Sequence, residues 1–328
     1  MSDHSISRFD CLGGQCSAWV CGHGPAGDAA QATAWVRRRL LEWHRQFSRF
    51  EPDSELSALN RDPRETVPVS PVMFRLLESA VHAARLTGGL ADPTLLGELV
   101  AAGYRRSREG MGGQRGGEIA RALLTAPPRR AASPRPDARW REIRLDRRSG
   151  TVSRPPDLQI DLSGVAKGTF GDLLATVLAD HDGFVVDAAG DVRFGGRHTR
   201  PRPIAITAPA GGEALHTFDV QQGAAATSGI GRRTWRDPEG RLAHHLLDPA
   251  TGRPAFTGLV QVTALATTGL EAELRAKAAL LCGPVRAPEW LPDGGMTIED
   301  DGVVTVYPPS AAMRTAAREG VGSSPAMR

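Results

Sequence analysis

The segment Ile160-Asp161-Leu162-Ser163-Gly164-Val165-Ala166-Lys167-Gly168, closing at Asp172, constrains this chain more than any other. Apolar residues of the kind found in a buried strand pass directly into small residues and one lysine. Ser163, Gly164, Ala166 and Gly168 let a ligand approach the backbone, and Lys167 is a compact cation that a phosphate can pair with. An ordinary strand-to-helix turn with a solvated lysine uses the same residues, and this segment alone does not separate the two.

The chain has 328 residues, more than a usual single compact domain, yet its suggestive segments are spread along the whole length. One large unit over residues 1–309 is therefore expected, with a flexible tail over 310–328. A net charge of +3, with signs that alternate along the chain, makes no general case for nucleic-acid or membrane binding. The basic excess lies at about 105–156, where Arg105, Arg106, Arg129, Arg130, Arg147 and Arg148 stand among glycines and prolines. That composition reads as a surface insertion, with an acidic-partner or nucleic-acid patch as the alternative. The first residues, Met1 to Arg8, lack the apolar stretch of a signal peptide, and no later apolar run is long enough to span a bilayer. A soluble, cytoplasmic protein is expected. Cys11, Cys16, Cys21 and Cys282 suit a reducing compartment. With His23 the first three raise a metal reading, but the five-residue step turns Cys16 and Cys21 to opposite faces of a strand.

Periodicity gives a strand at Cys16 to Cys21, helices over Ala34 to Phe47 and Val72 to Leu86, and shorter helices over Leu95 to Ala102 and Ile119 to Leu124. From Trp140 the period shortens. Ile143, Leu145, Val152, Leu158 and Ile160 mark short strands, and Phe170 to Leu178 reads as the helix after the lysine turn. Gly183 to Val186 is a buried strand, with Val192 to Phe194 read as its continuation, and Ile204 to Ile206 and Phe218 to Val220 are further strands. Leu259 to Leu265 precedes a helix from Gly269 to Leu281, and Asp300-Asp301-Gly302 sits at the tip of a closing hairpin.

Five further segments stand in order around the lysine turn: Phe47-Ser48-Arg49-Phe50-Glu51-Pro52-Asp53-Ser54-Glu55-Leu56-Ser57-Ala58-Leu59-Asn60; Gly89-Leu90-Ala91-Asp92-Pro93-Thr94; Val186-Asp187-Ala188-Ala189-Gly190-Asp191; Ala226-Thr227-Ser228-Gly229; and His245-Leu246-Leu247-Asp248-Pro249-Ala250-Thr251-Gly252. In this order they resemble the FAD:protein FMN transferases, the ApbE-like flavin transferase family, over most of the chain. Ala91 stands where that family usually has Phe, and Ala189 replaces the first glycine of a Gly-Gly-Asp. The resemblance implies an α+β, two-lobed fold with mixed or antiparallel sheets and flanking helices, and FAD in the cleft between the lobes. It implies that FAD is split to AMP and that FMN moves onto a Thr or Ser hydroxyl of a target flavoprotein. By the same resemblance Lys167 binds or polarises the phosphates and the Gly164 carbonyl is a magnesium ligand. His245 matches the catalytic histidine, and an imidazole titrating near neutrality suits removal of a hydroxyl proton. Asp92, Thr94, Asp172, Asp187, Gly190, Asp191, Thr227 and Ser228 match positions near the cofactor, although turn capping accounts cheaply for several of the acids.

One departure matters. The family helix usually reads Ala-Asp-Ala-x-Ala-Thr, with Asp and Thr binding magnesium, whereas this chain has Ala272-Glu273-Leu274-Arg275-Ala276-Lys277. The acid is kept and lengthened, but a protonated lysine cannot ligate a metal and repels one bound beside it. Glu273 and Lys277 are spaced for an i, i+4 salt bridge. The pair permits four readings: a surface salt bridge with the metal ligands elsewhere, Lys277 supplying the charge in place of the metal, a flavin-binding protein that has lost transfer, or magnesium displaced toward Glu273 and substrate phosphates. An FAD pyrophosphatase releasing FMN is a further alternative.

Overall fold

The computed structural model describes residues 4–106, 123, 126–198, 201–209, 211–231, 233–237 and 240–313. Its strands are β1 (His4–Cys11), β2 (Gly14–Cys21), β3 (Thr66–Pro68), β4 (Arg144–Asp146), β5 (Thr151–Ser153), β6 (Gly183–Ala188), β7 (Asp191–Gly195), β8 (Arg202–Thr207) and β9 (Ala214–Val220). They continue with β10 (Gly223–Gly229), β11 (Thr234–Arg236), β12 (Leu242–His244), β13 (Leu247–Asp248), β14 (Arg253–Pro254), β15 (Leu259–Ala266), β16 (Gly295–Glu299) and β17 (Val304–Tyr307). The α-helices are α1 (Ala29–Phe47), α2 (Glu55–Arg61), α3 (Pro71–Leu86), α4 (Leu96–Ala101), α5 (Ala166–Leu178) and α6 (Gly269–Cys282).

Eight strands form one sheet in the order β1-β2-β6-β7-β10-β15-β16-β17, with every neighbouring pair antiparallel. Together with the helices this is the expected α+β class. α1 starts five residues before the apolar period suggests, because Asp28 caps it: its carboxylate accepts the Gln31 amide at 2.8 Å while Gln31 reaches back to the Asp28 N–H at 3.0 Å. One core gathers Val36 and Leu40 of α1, Leu76 and Leu77 of α3, and Phe170 and Leu174 of α5 against Val186 of β6. A second joins Val262, Ala264 and Met296 of the sheet to Leu280 and Leu281 of α6. Each fully buried leucine of this kind stabilises the fold by roughly 1.5–3 kcal/mol.

Several expectations are corrected. Leu158 to Ile160 is not a strand; Ile160 is held by the Asn60 side chain, whose Nδ2 donates to its carbonyl at 2.9 Å and whose Oδ1 accepts its N–H at 2.8 Å. Val192 to Phe194 does not continue β6 but folds back on it as β7. The small residues around Thr227 and Ser228 form β10: Ala224 and Ala226 lack strand propensity, yet they let α6 pack closely at Ala272. Where it is described, the basic stretch buries Trp140, Ile143 and Val152. Within it, the Arg130 and Ala132 amides bond Phe256 and Leu281 carbonyls. The expected helix from Ile119 to Leu124 falls almost wholly outside the described residues. The tail packs as far as Met313, which is buried, and 314–328 lie outside the described residues. No described helix is long and apolar enough to cross a membrane.

The β6–β7 turn explains a sequence oddity and carries a prediction. Ala189 and Gly190 have φ of 55° and 99°, the left-handed pair that a two-residue hairpin turn needs. Ala189 bears the strain of that conformation, on the order of 1 kcal/mol. Ala189→Gly is therefore expected to raise the denaturant midpoint by the equivalent of about 1 kcal/mol, less the added freedom of the unfolded chain; an unchanged or lower midpoint would count against this reading.

Candidate active site

The lysine turn is fixed before its lysine is used. The Asp161 N–H donates to the Pro93 carbonyl at 2.8 Å, and the Asp161 carboxylate accepts the Ser163 N–H at 2.6 Å. α5 then begins at Ala166, earlier than the apolar pattern suggests, and Lys167 lies in its first turn. The Lys167 ammonium pairs with Asp191 at 2.7 Å, at the start of β7. The other Asp191 oxygen accepts the Thr227 N–H of β10 at 3.2 Å, and the Thr227 hydroxyl bonds that of Thr263 on β15 at 2.8 Å.

α6 supplies the remaining charges. Glu273 accepts the Gly168 N–H at 2.9 Å, and the Lys277 ammonium donates to the Gly164 carbonyl at 2.8 Å. The salt bridge expected between Glu273 and Lys277 is therefore replaced by two separate contacts to the lysine turn, more than a hundred residues away. The helices come this close because Gly168 and Gly269 face each other: a Cβ on Gly168 would fall on the Gly269 carbonyl. Burial pushes the Glu273 carboxyl up, and Asp191 adds to this, while the two lysines oppose it. Burial pushes the Lys277 ammonium down, against the pull of Glu273 and Asp161.

These side chains line a cleft of about 720 Å³, together with Arg233 and His245. His245 follows β12, and burial drives its imidazole well below its ordinary pKa, helped by Arg233, His244, Lys277 and Lys167. It is neutral at neutral pH. Its buried Nδ1 has no partner among the described protein groups. His244 is fully buried, its Nδ1 accepts the Leu246 N–H at 3.3 Å, and burial takes its pKa down to about 3.

A neutral buried His244 has a consequence for stability. Below pH 6.5 the unfolded chain takes up a proton there that the folded chain refuses, so the stability present above that pH is lost as pH falls toward 3. The limiting slope is about 1.4 kcal/mol per pH unit for one such group. Unfolding titrations between pH 7 and 5 should show this loss, with a shallower slope in His244→Asn; an equal slope would contradict it.

The cleft brings together Asp92, Gly164, Lys167, Asp187, Gly190, Asp191, Thr227, Ser228, His245, Glu273 and Lys277 of the residues the sequence singles out. Asp92 uses one oxygen for the Thr94 N–H and hydroxyl, at 2.8 and 2.6 Å, and buries the other without a hydrogen-bond partner among the described residues, while burial pushes its pKa up. Asp187 accepts the Gly190 N–H at 2.7 Å within the hairpin turn. Thr94 and Asp172 do not line the cleft. Thr94 only braces Asp92, and Asp172 caps α6, accepting the Gly269 and Leu270 N–H groups at 2.7 and 3.0 Å and pairing with Arg193 at 3.1 Å. Sequence reasoning missed Arg49 and Asp161, which form a buried ion pair at 3.1 Å, although both lie inside the motif segments. It also missed Arg233, for which no motif gives a signal.

The residues do not fit the magnesium ion that the resemblance implies. Magnesium binds oxygen at about 2.1 Å, so an ion on the Gly164 carbonyl would lie within about 4.9 Å of an ammonium that is 2.8 Å from the same oxygen. Their repulsion would exceed roughly 7 kcal/mol at an effective dielectric of about 20. Of the acids nearby, Glu273 is held to the Gly168 N–H and Asp191 to the Lys167 ammonium, and no cluster of three or more His, Cys, Asp or Glu suited to a metal exists among the described residues.

Known proteins are similar to this chain in sequence and in fold. A "FAD:protein FMN transferase" from Chlamydia trachomatis serovar D is 30% identical over 240 residues, covering 72% of this chain and 70% of its own. One from Vibrio cholerae is 29% identical over 259 residues, covering 76% and 73%. The crystal structure of the ApbE protein from Thermotoga maritima superposes with a TM-score of 0.73 at 24% identity, over 93% of this chain and 97% of that one. The model of the ApbE family matches residues 12–298; with every residue that lines the cleft inside that span, the chain belongs to the ApbE family.

Proposed function

We propose that this protein is an FAD:protein FMN transferase, the activity for which its relatives from Chlamydia trachomatis and Vibrio cholerae are named. The observation that carries the reading is the meeting of a neutral imidazole, His245, with the cations Lys167, Lys277 and Arg233 in one cleft. A cleft of about 720 Å³ is of the size that binds cofactors. Trp43, Phe47, Leu56 and Leu90 on its walls suit a flat flavin ring, and the cations suit a pyrophosphate.

In this reading the oxygen of a Thr or Ser hydroxyl on the acceptor flavoprotein attacks the FMN-side phosphorus of FAD. The hydroxyl proton passes to His245, and the bond from that phosphorus to the bridging oxygen breaks, so AMP departs with that oxygen. Lys167 and Lys277 offset the charge that grows on the phosphates. A neutral imidazole at neutral pH is ready to accept the proton. Incubation with FAD should quench flavin fluorescence through binding, and AMP should form when an acceptor is added. FAD that stays intact with an acceptor flavinylated by a known relative would refute the reading, and release of free FMN would replace transfer by hydrolysis.

A further inference from the structure

We infer that Lys277 is a built-in substitute for the divalent cation, so that this protein binds the FAD pyrophosphate without magnesium. The inference deepens the proposed function and rests on it for the identity of the ligand. It is carried by where the ammonium sits. Lys277 donates to the Gly164 carbonyl at 2.8 Å, and a Cβ on residue 164 would fall on that ammonium. The carbonyl lone pairs that would have faced a metal thus face a fixed N–H donor. Glu273, one helical turn earlier on α6, is held to the Gly168 N–H at 2.9 Å, which turns its carboxylate toward the backbone of α5.

The charges agree with this placement. Lys167 and Asp191 form an ion pair at 2.7 Å, and Glu273 feels both lysines. Beside the Gly164 carbonyl the charge is thus already supplied by an ammonium, and Asp191, the acid next to Lys167, is paired with it. An incoming pyrophosphate brings negative charge to a cleft that also holds Arg233. Lysine is suited to the substitution because a single Nζ on a flexible stem can keep one N–H on the carbonyl and turn its others to a ligand oxygen.

Manganese titration followed by electron paramagnetic resonance tests the substitution without turnover. The full chain should bind no manganese in the cleft, with or without FAD, whereas Lys277→Thr, which restores a hydroxyl beside the acid, should gain a site. In parallel, FAD affinity read by fluorescence should change less than twofold when chelator is added to the wild type. In Lys277→Thr it should fall at least tenfold under chelator and recover with magnesium. Wild-type manganese binding that Glu273→Gln abolishes overturns the inference, as does a tenfold loss of wild-type FAD affinity under chelator. The chelator reading uses the wild type alone, so it stands even if neither variant folds. A wild type that binds no FAD under any condition refutes the functional reading instead, and the manganese titration still decides the place of Lys277.

Discussion

His245→Asn is expected to lower FMN transfer by about 10²–10⁴-fold, the range for loss of a positioned general base, while FAD affinity changes only a few-fold. Asparagine keeps a polar side chain of similar reach but cannot take up the hydroxyl proton. The split is diagnostic because His245 shares the cleft with Lys167, Lys277 and Arg233, which remain to hold the phosphates. Burial and these cations keep the imidazole below its ordinary pKa, so its base form persists as pH falls. The base limb of the transfer rate should accordingly stay flat down through pH 6.5, whereas a solvated histidine would lose half its base form there. Rates and dissociation constants from AMP release and flavin fluorescence give both numbers. A variant that keeps transfer within tenfold would place the base elsewhere.

Gly168→Ala should be among the most damaging single-methyl additions in the molecule. The new Cβ would meet the carbonyl oxygen and carbon of Gly269 and the amide nitrogen of Leu270, all backbone atoms at the start of α6. Nothing there can rotate aside, so α5 and α6 must separate. Overpacking of this kind costs about 3 kcal/mol. The same shift pulls Glu273 from the Gly168 amide and Lys277 from the Gly164 carbonyl, and FAD affinity should fall together with stability. Gly97→Ala is the control: a Cβ at that position in α4 meets nothing within 4 Å, and the change should be neutral or stabilising by up to about 1 kcal/mol. Chemical unfolding of the two variants checks both directions, and a Gly168→Ala protein as stable as the wild type would contradict the close approach.

The sequence shows the elements whose signals are local. α6 begins at the residue expected and ends one later, because Thr268 caps it and Gly283 closes it with φ of 79°. The closing hairpin over β16 and β17 follows from its Asp-Asp-Gly tip. β10 is not legible for the opposite reason: Ala224-Ala225-Ala226 carries no strand propensity and is a strand only because β7, β15 and α6 surround it. Asp172 shows the same limit in the site. Its place near the lysine turn suggests a ligand contact, but only the fold reveals that the start of α6 takes up its carboxylate. Lys277 is the clearest case. Spacing pairs it with Glu273, whereas the packing of α6 on α5 gives each a different backbone partner in the lysine turn. The types of residue in the cleft are thus readable along the chain, and their pairings are set by long-range contacts.

The decisive measurement is the ratio of AMP released to FMN covalently attached, with FAD, an acceptor flavoprotein and either the wild type or His245→Asn in the same assay. Chromatography counts the AMP and intact-mass analysis counts the flavin on the acceptor. Transfer through His245 predicts one AMP for each FMN joined to a Thr or Ser hydroxyl by the wild type, and both products reduced by at least a hundredfold in the variant. FAD bound but unbroken in the presence of a competent acceptor, or AMP matched only by free FMN, would contradict it.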